Sequence, residues 1–230
     1  MIDAGRPTVR ARFVLYGVVP FVLLGTMVLM YYSDSPALRE IVSPDIEGVH
    51  PHAQSEYGLL ENLQNVALAA IVVVAVLGLR RKRLAWERAA LLILAAGSAF
   101  VLLEEIDYGM QYVDDGAPRN LHRIGYTETV LEHAARFGVL TFFGGFAILF
   151  ANSRRPLLRY LAPDRFSVLT ILLLTAFQEI VWKLADRYPL DHGSLSGREI
   201  EFAEFGVYYL LLLYSIDMVF WREYEGDAPA

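Results

Sequence analysis

Residues 13–32 read FVLYGVVPFVLLGTMVLMYY, a run of 20 residues without a charge. About 20 apolar residues are needed to cross a hydrocarbon core about 30 Å thick. A second uncharged run, of 18 residues, covers 62–79. Repeated runs of this length indicate an integral membrane protein and not a soluble core. The first run is too long for the apolar region of a signal peptide, so we expect an uncleaved first span.

We predict an all-α integral membrane helix bundle of about six transmembrane helices, which forms a single membrane domain over 1–230. The uncharged runs of several other spans are shorter than about 20 residues. These spans can cross the membrane only if they also include charged residues, which then lie within one leaflet. The predicted spans lie near 13–32, 60–79, 88–108, 132–152, 166–184 and 202–221.

The basic residues predict the orientation of the bundle. Lys and Arg collect in the cytoplasmic loops of bacterial membrane proteins. Thirteen of the 20 basic residues fall in segments that lie on one side of the predicted bundle. We therefore predict a multi-pass protein of the bacterial cytoplasmic (inner) membrane, with both termini in the cytoplasm. These 13 residues are Arg6, Arg10, Arg12, Arg80, Arg81, Lys82, Arg83, Arg88, Arg154, Arg155, Arg159, Arg165 and Arg222.

Composition excludes several kinds of function. The chain has no cysteine, which excludes disulfides, thiolate metal sites and cysteine nucleophiles. Its net charge of −6 argues against nucleic acid as a partner, because phosphate binding needs clustered Lys and Arg.

Five predicted helices each place a glutamate at a similar depth, in the leaflet opposite the basic segments. Ionisable residues inside a membrane are costly and are candidates for function. A helix-end role is the alternative for those near helix N-termini, where the macrodipole favours an anion. The five residues are Glu61, Glu105, Glu132, Glu179 and Glu204, and Glu201 lies close to the last of them.

Glu104 and Glu105 are the least easily explained by helix-end chemistry. They lie at the C-terminal end of a predicted span, where the dipole disfavours a carboxylate. Glu179 is in a similar position but has Lys183 four residues later, a favourable helix pair. We therefore take Glu104 and Glu105 as candidate catalytic acid/base residues and count Glu179 and Lys183 among the candidate ligand-binding residues.

The residues after Glu104 extend the candidate site. Glu104, Tyr108 and Gln111 share one face of a helix, and Asp107 adds a further carboxylate. A carboxylate, a phenol and an amide can bind a polar headgroup, a sugar or a metal-bound water. His122 follows in the next loop.

The stretch Glu104–Gln111, EEIDYGMQ, resembles the Glu-Glu-Ile-Ser-Trp-Gly-Gln stretch of a group of uncharacterised bacterial polytopic membrane proteins. Residues 56–61, EYGLLE, are similar to the Glu-Asp-Gly-x-x-Glu entry to a helix in that group, and 120–122, NLH, to its Asn-Leu-His loop. Asp107 and Tyr108 depart from the Ser and Trp of the group. The resemblance implies a shared site at the extracytoplasmic leaflet and names no chemistry for it.

Two functions fit this pattern. The first is a binding, assembly or accessory subunit of a membrane complex, whose partners are membrane lipid and other membrane protein subunits. The alternative is a membrane-embedded enzyme that acts on a lipid or lipid-linked substrate, with a divalent metal held by Glu105, His122 and Glu204. Carboxylates with imidazole would suit Zn, Fe or Mn. A transporter is disfavoured because the inner halves of spans two to five are almost purely apolar.

Overall fold

The computed structural model describes residues 7–42, 59–105, 153, 155–187 and 198–224, and every regular element in these ranges is helical. The all-α class is therefore confirmed for the described part of the chain. Numbered in chain order, the helices are α1 (Val9–Tyr31), α2 (Pro36–Val42), α3 (Leu59–Arg81), α4 (Ala85–Glu105), α5 (Pro156–Leu161), α6 (Arg165–Arg187) and α7 (Arg198–Ile216), which continues as a π-helical segment, Asp217–Trp221.

Four of the described helices are long and apolar enough to cross a membrane. They are α1, α3, α4 and α7 with its π-helical segment, and they match the spans predicted at 13–32, 60–79, 88–108 and 202–221. Residues 166–184, where a further span is predicted, are part of the helix α6. This helix is as long as α3, but five of its 23 residues are charged, and it is not among the four. The span predicted at 132–152 lies outside the described residues.

Helix α7 is the centre of the bundle. It packs against α1, α3 and α6. Within its most apolar window 61% of residues are buried, compared with 17% in α1 and 22% in α4. The outward faces of α1, α3 and α4 therefore expose apolar side chains, as helices facing lipid do.

Gly78 marks the closest approach of three elements. A Cβ atom at this position would lie 2.6 Å from Val219 Cγ2 and 2.7 Å from Leu91 Cδ1. Val219 belongs to the end of the α7 segment and Leu91 to α4, so a side chain on α3 would separate both neighbours. Small residues allow helix backbones to approach in this way in membrane bundles. At Gly97 in α4, by contrast, a Cβ atom would meet no described atom within 4 Å.

Two π-helical segments lie at the same end of the bundle. One is Phe13–Val18 within α1, and the other is Asp217–Trp221 after α7. The buried Tyr16 of the first segment donates a hydrogen bond to the Leu213 carbonyl oxygen, 3.5 Å away and one turn before the second segment. π-helical turns are rare and occur frequently at functional sites.

Candidate functional site

Polar side chains gather at both ends of the bundle. We name them the acidic end, defined by Tyr32, Gln64 and Glu199, and the basic end, defined by Arg12, Lys82 and Arg222. The acidic end contains the described members of the predicted site. The basic end contains the larger network of polar contacts among the described residues.

The acidic end is built where α1 finishes and where α3 and α7 begin. Glu199 lies in the first turn of α7 and is only 2% exposed. The hydroxyl of Tyr32, the residue after α1, donates a hydrogen bond to Glu199 Oε1. Partial burial and, next, this hydrogen bond raise the pKa of Tyr32, so that its hydroxyl keeps its proton and acts as the donor.

Two amides fasten the neighbouring helices to the start of α7. Gln64 of α3, which is buried, donates from Nε2 to the Glu201 carbonyl oxygen at 3.2 Å. Gln178 of α6 donates from Nε2 to the Ile200 carbonyl oxygen, also at 3.2 Å. The carbonyls that accept are backbone groups in the first turn of α7, so these contacts fix its position between α3 and α6.

The acidic end also contains buried polar atoms that no hydrogen bond satisfies in the described part of the chain. These atoms are Glu199 Oε2 and Asn65 Oδ1, both without accessible surface. A buried acceptor without a donor costs about 1–3 kcal/mol. Glu199 Oε2 is thus an acceptor that no described donor uses.

The structure places part of the predicted site at the acidic end. Glu61 is buried in the first turn of α3, three residues before Gln64. Glu201 and Glu204 are half-buried on α7, and each makes polar interactions. Glu61 and Glu201 therefore lie at one end of neighbouring helices, and their membership of one site stays a prediction.

Other predicted residues lie elsewhere or outside the description. Glu179 and Lys183 are both exposed on α6, and the adjacent Gln178 makes the contact with α7 instead. Glu104 and Glu105 lie at the end of α4, and their side chains are outside the description. Asp107, Tyr108, Gln111, His122 and Glu132 lie outside the described residues.

The proposed metal ligands are also only partly described. Of Glu105, His122 and Glu204, only the Glu204 side chain is described. Among the residues described by the structure, no group of three or more His, Cys, Asp or Glu side chains could hold a metal ion. The divalent metal stays a prediction.

The basic end is organised around Arg222, a buried residue directly after the π-helical segment. Its Nη2 and Nε atoms lie 2.5 and 2.6 Å from Asp217 Oδ2. Its Nη1 donates to the Tyr160 carbonyl oxygen and, at 2.7 Å, to the Ala162 carbonyl oxygen. One planar guanidinium thus joins a buried carboxylate of the last helix to the segment that leads into α6.

Two tyrosines also connect α5 to the last helix, each donating a hydrogen bond to a backbone carbonyl oxygen of the other element. Tyr160 donates from its hydroxyl to the Met218 carbonyl oxygen at 3.3 Å. Tyr214 donates from its hydroxyl to the Leu161 carbonyl oxygen at 2.9 Å. Both side chains are buried, and burial raises the pKa of Tyr160, which keeps it a donor at neutral pH.

A second ion pair attaches α1 to the start of α6. Arg12 Nη1 lies 2.6 Å from Asp164 Oδ2. The other carboxylate oxygen, Oδ1, accepts the Phe166 backbone N–H at 2.9 Å, which is the contact of a helix N-cap. Asp164 therefore caps α6 and holds α1 with the same carboxylate.

Lys82 connects the turn between α3 and α4 to this network. Its Nζ donates to the Arg222 carbonyl oxygen at 2.7 Å and lies 3.7 Å from Glu87 Oε1. Partial burial lowers the pKa of Lys82 in spite of the opposing effect of Glu87. The segments around Arg12, Lys82, Asp164 and Arg222 thus meet at one end of the bundle.

The sequence interpretation did not predict the basic-end network. It used the basic residues of this end to predict the membrane orientation alone. The available signal was Asp217 itself, the one charged residue in the second half of the last span, with Arg222 five residues later. Spacing of five residues fits a π-helical turn better than an α-helical one.

No family model, no curated protein and no solved structure matches this chain. The resemblance of residues 104–111 therefore stays a prediction. The fold and the contacts at its two ends define the chain as a helical, multi-pass membrane protein, with four described helices able to cross a bilayer.

Proposed function

We propose that this chain is a bacterial inner-membrane protein of about six spans that binds a polar partner group at its extracytoplasmic leaflet, as a binding or accessory subunit of a membrane complex. In this proposal both termini are cytoplasmic and the basic end faces the cytoplasm. The meeting of Arg12, Lys82 and Arg222 at one end supports this orientation, because basic residues collect on the cytoplasmic side.

The observation that carries the binding role is the environment of Glu199. Its carboxylate is buried, one oxygen accepts from Tyr32, and among the described residues the other has no hydrogen-bond partner. A carboxylate can accept several hydrogen bonds, so Glu199 Oε2 can take a donor such as an ammonium, a hydroxyl or an amide of a partner.

The contacts around Glu199 favour binding over catalysis. Gln64, Gln178 and Tyr32 fix the first turn of α7 from three neighbouring elements, which is the arrangement of a rigid docking site. The enzymatic alternative depends on Glu104 and Glu105, whose side chains lie outside the described residues. A lipid or lipid-linked substrate would be the reactant in that alternative.

Cysteine labelling tests the orientation. The chain has no cysteine of its own, so single substitutions report single positions. Ser55→Cys, Gly116→Cys and Ser194→Cys should react with an impermeant maleimide on intact spheroplasts. Ala85→Cys, at an exposed position in the first turn of α4, should react only after lysis. Labelling of Ala85→Cys in intact spheroplasts would reverse the proposed orientation.

Native electrophoresis of membranes solubilised in a mild detergent tests the binding role. We expect the chain to migrate in a complex larger than the isolated protein, and Glu199→Gln to release it. Glu223→Gln is the matched control because Glu223 is exposed at the basic end. Migration of the wild type as the isolated protein, or equal release by both variants, would contradict the proposal.

A lipid comparison tests the enzymatic alternative. Cells that carry Glu104→Gln or Glu105→Gln would accumulate a lipid or lipid-linked substrate if these residues catalyse its conversion. We expect lipid profiles identical to those of cells with the wild-type chain. A new lipid that accumulates with both variants would replace the binding role by the enzymatic one.

A further inference from the structure

The basic end presents far more positive than negative charge to its surroundings. Three carboxylates of this end, those of Glu87, Asp164 and Asp217, are buried and paired with basic residues. Glu223 is the exposed carboxylate among the described residues of this end. Eight described arginines of the same end are exposed, namely Arg10, Arg80, Arg81, Arg83, Arg88, Arg155, Arg159 and Arg165.

One pair of helices combines this charge with an apolar strip. Arg165, the first residue of α6, places its Cζ atom 4.9 Å from the centre of the Phe166 ring. The Phe166 ring packs edge-on against Phe13 of α1, with ring centres 5.4 Å apart. Phe13 is 50% exposed and Leu169, one turn into α6, is 56% exposed. We name this surface the α1–α6 seam, defined by Arg10, Phe13, Arg165, Phe166 and Leu169.

Two arginines belong to the seam, one on each helix. Arg10 precedes Phe13 by three residues and lies on the same face of α1. Arg165 lies at the N-terminus of α6, where the macrodipole disfavours a cation and favours an anion. The Asp164 carboxylate already caps this terminus, so an anion bound to Arg165 would gain from the guanidinium.

We propose that the α1–α6 seam binds an anionic glycerophospholipid. The headgroup phosphate contacts Arg165 and Arg10, and an acyl chain lies along Phe13 and Leu169. A guanidinium matches the oxygens of a phosphate through two parallel hydrogen bonds. The strip of exposed apolar side chains below the charges fits the acyl chain of a lipid, which a free phosphate or a nucleic acid lacks.

The membrane setting favours this occupant. The seam involves α1, a helix able to cross a bilayer, and the guanidinium groups lie at the end of that helix. Arginine side chains at helix ends reach the headgroup region while their stems cover apolar surface. The net charge of the whole chain is −6, so the attraction for an anion is local to this end.

Lipid titration of the purified full-length chain tests the proposal. The protein in a neutral detergent is titrated with a phosphatidylglycerol or a phosphatidylcholine, and bound lipid is counted by native mass spectrometry. We expect phosphatidylglycerol to bind with at least about tenfold higher affinity, and Arg165→Gln to remove about tenfold of it, which is the effect of one strong charged contact. Circular dichroism of Arg165→Gln should show unchanged helix content.

Arg83→Gln is the matched control, because it removes the same charge from an exposed arginine in the turn between α3 and α4. We expect it to keep wild-type affinity. Equal losses in the two variants would mean that diffuse charge attracts lipid, and the seam would not be a site. Equal stabilisation of the wild type by inorganic phosphate and by phosphatidylglycerol would also overturn the proposal, because the acyl chain would then contribute nothing.

Discussion

Replacing Arg222 with methionine tests whether the basic end is a stabilising network. Asp217 is 2% exposed, and the substitution removes the guanidinium that neutralises it. Removal of one partner from a buried ion pair costs about 3–5 kcal/mol, because the other charge stays buried. The Tyr160 and Ala162 carbonyls also lose a donor. We expect Arg222→Met to lower the free energy of unfolding by at least about 3 kcal/mol.

The double variant separates the charge from the hydrogen bonds. In Arg222→Met with Asp217→Leu, neither charge is present, and apolar replacement of a whole buried pair is often neutral. The two carbonyl oxygens still lack the donor, at about 1–3 kcal/mol for an unsatisfied buried group. We therefore expect the double variant to be more stable than either single variant, by about 2 kcal/mol or more.

Unfolding by SDS titration measures these differences, and tryptophan fluorescence reports on the network directly. Trp86 packs edge-on against Tyr160 and Tyr224, with ring centres 5.1 and 5.0 Å apart. Arg159→Met is the control, because Arg159 is exposed on α5, and its effect should stay within about 0.5 kcal/mol. Single effects that add in the double variant would refute the argument, because independent residues add within about 0.5 kcal/mol.

Three further outcomes are expected. Burial raises the pKa of Tyr160 above its ordinary 10.0. The contribution of this group to stability is therefore present below about pH 10 and is lost as the pH rises further. Between about pH 9 and 11 the free energy of unfolding should fall less in Tyr160→Phe than in the wild type. Gly78→Ala should cost about 1–3 kcal/mol by overpacking, whereas Gly97→Ala should not destabilise; equal melting temperatures for the two would contradict the close approach. If Glu105 and Glu204 share one site, the effects of Glu105→Gln and Glu204→Gln on melting temperature should be non-additive, and strictly additive small shifts would mean that they do not.

The positions of the membrane helices could be predicted from the sequence because length and lack of charge are local properties. The helix Val9–Tyr31 begins four residues before the run at 13–32 and ends one residue before it. The same reasoning placed Glu61 and Glu201 near the start of a helix, and both lie in a first turn. It could not predict that Gln178, and not Glu179, contacts α7, because that choice depends on the rotation of α6 about its axis.

The network at the basic end depended on contacts that no local pattern encodes. Arg222 binds carbonyl oxygens that are 60 and 62 residues away in the chain. A backbone carbonyl leaves no mark on the sequence, because every residue carries one. The sequence does not reveal the role of the buried tyrosines either, because tyrosine near a membrane boundary is also common as an interfacial residue.

Helix α1 shows why both polar ends matter for the same fold. In lipid there is no hydrophobic force that drives one apolar helix onto another, so association depends on close packing and on polar contacts. The most apolar window of α1 is only 17% buried, which leaves little packing to hold it. Its two ends are instead fixed by the Arg12–Asp164 ion pair and by the hydrogen bond from Tyr32 to Glu199. The carboxylate that we propose for partner binding is therefore also one of the two anchors of α1. Because of this double role, a partner that bonds to Glu199 would act on the position of α1.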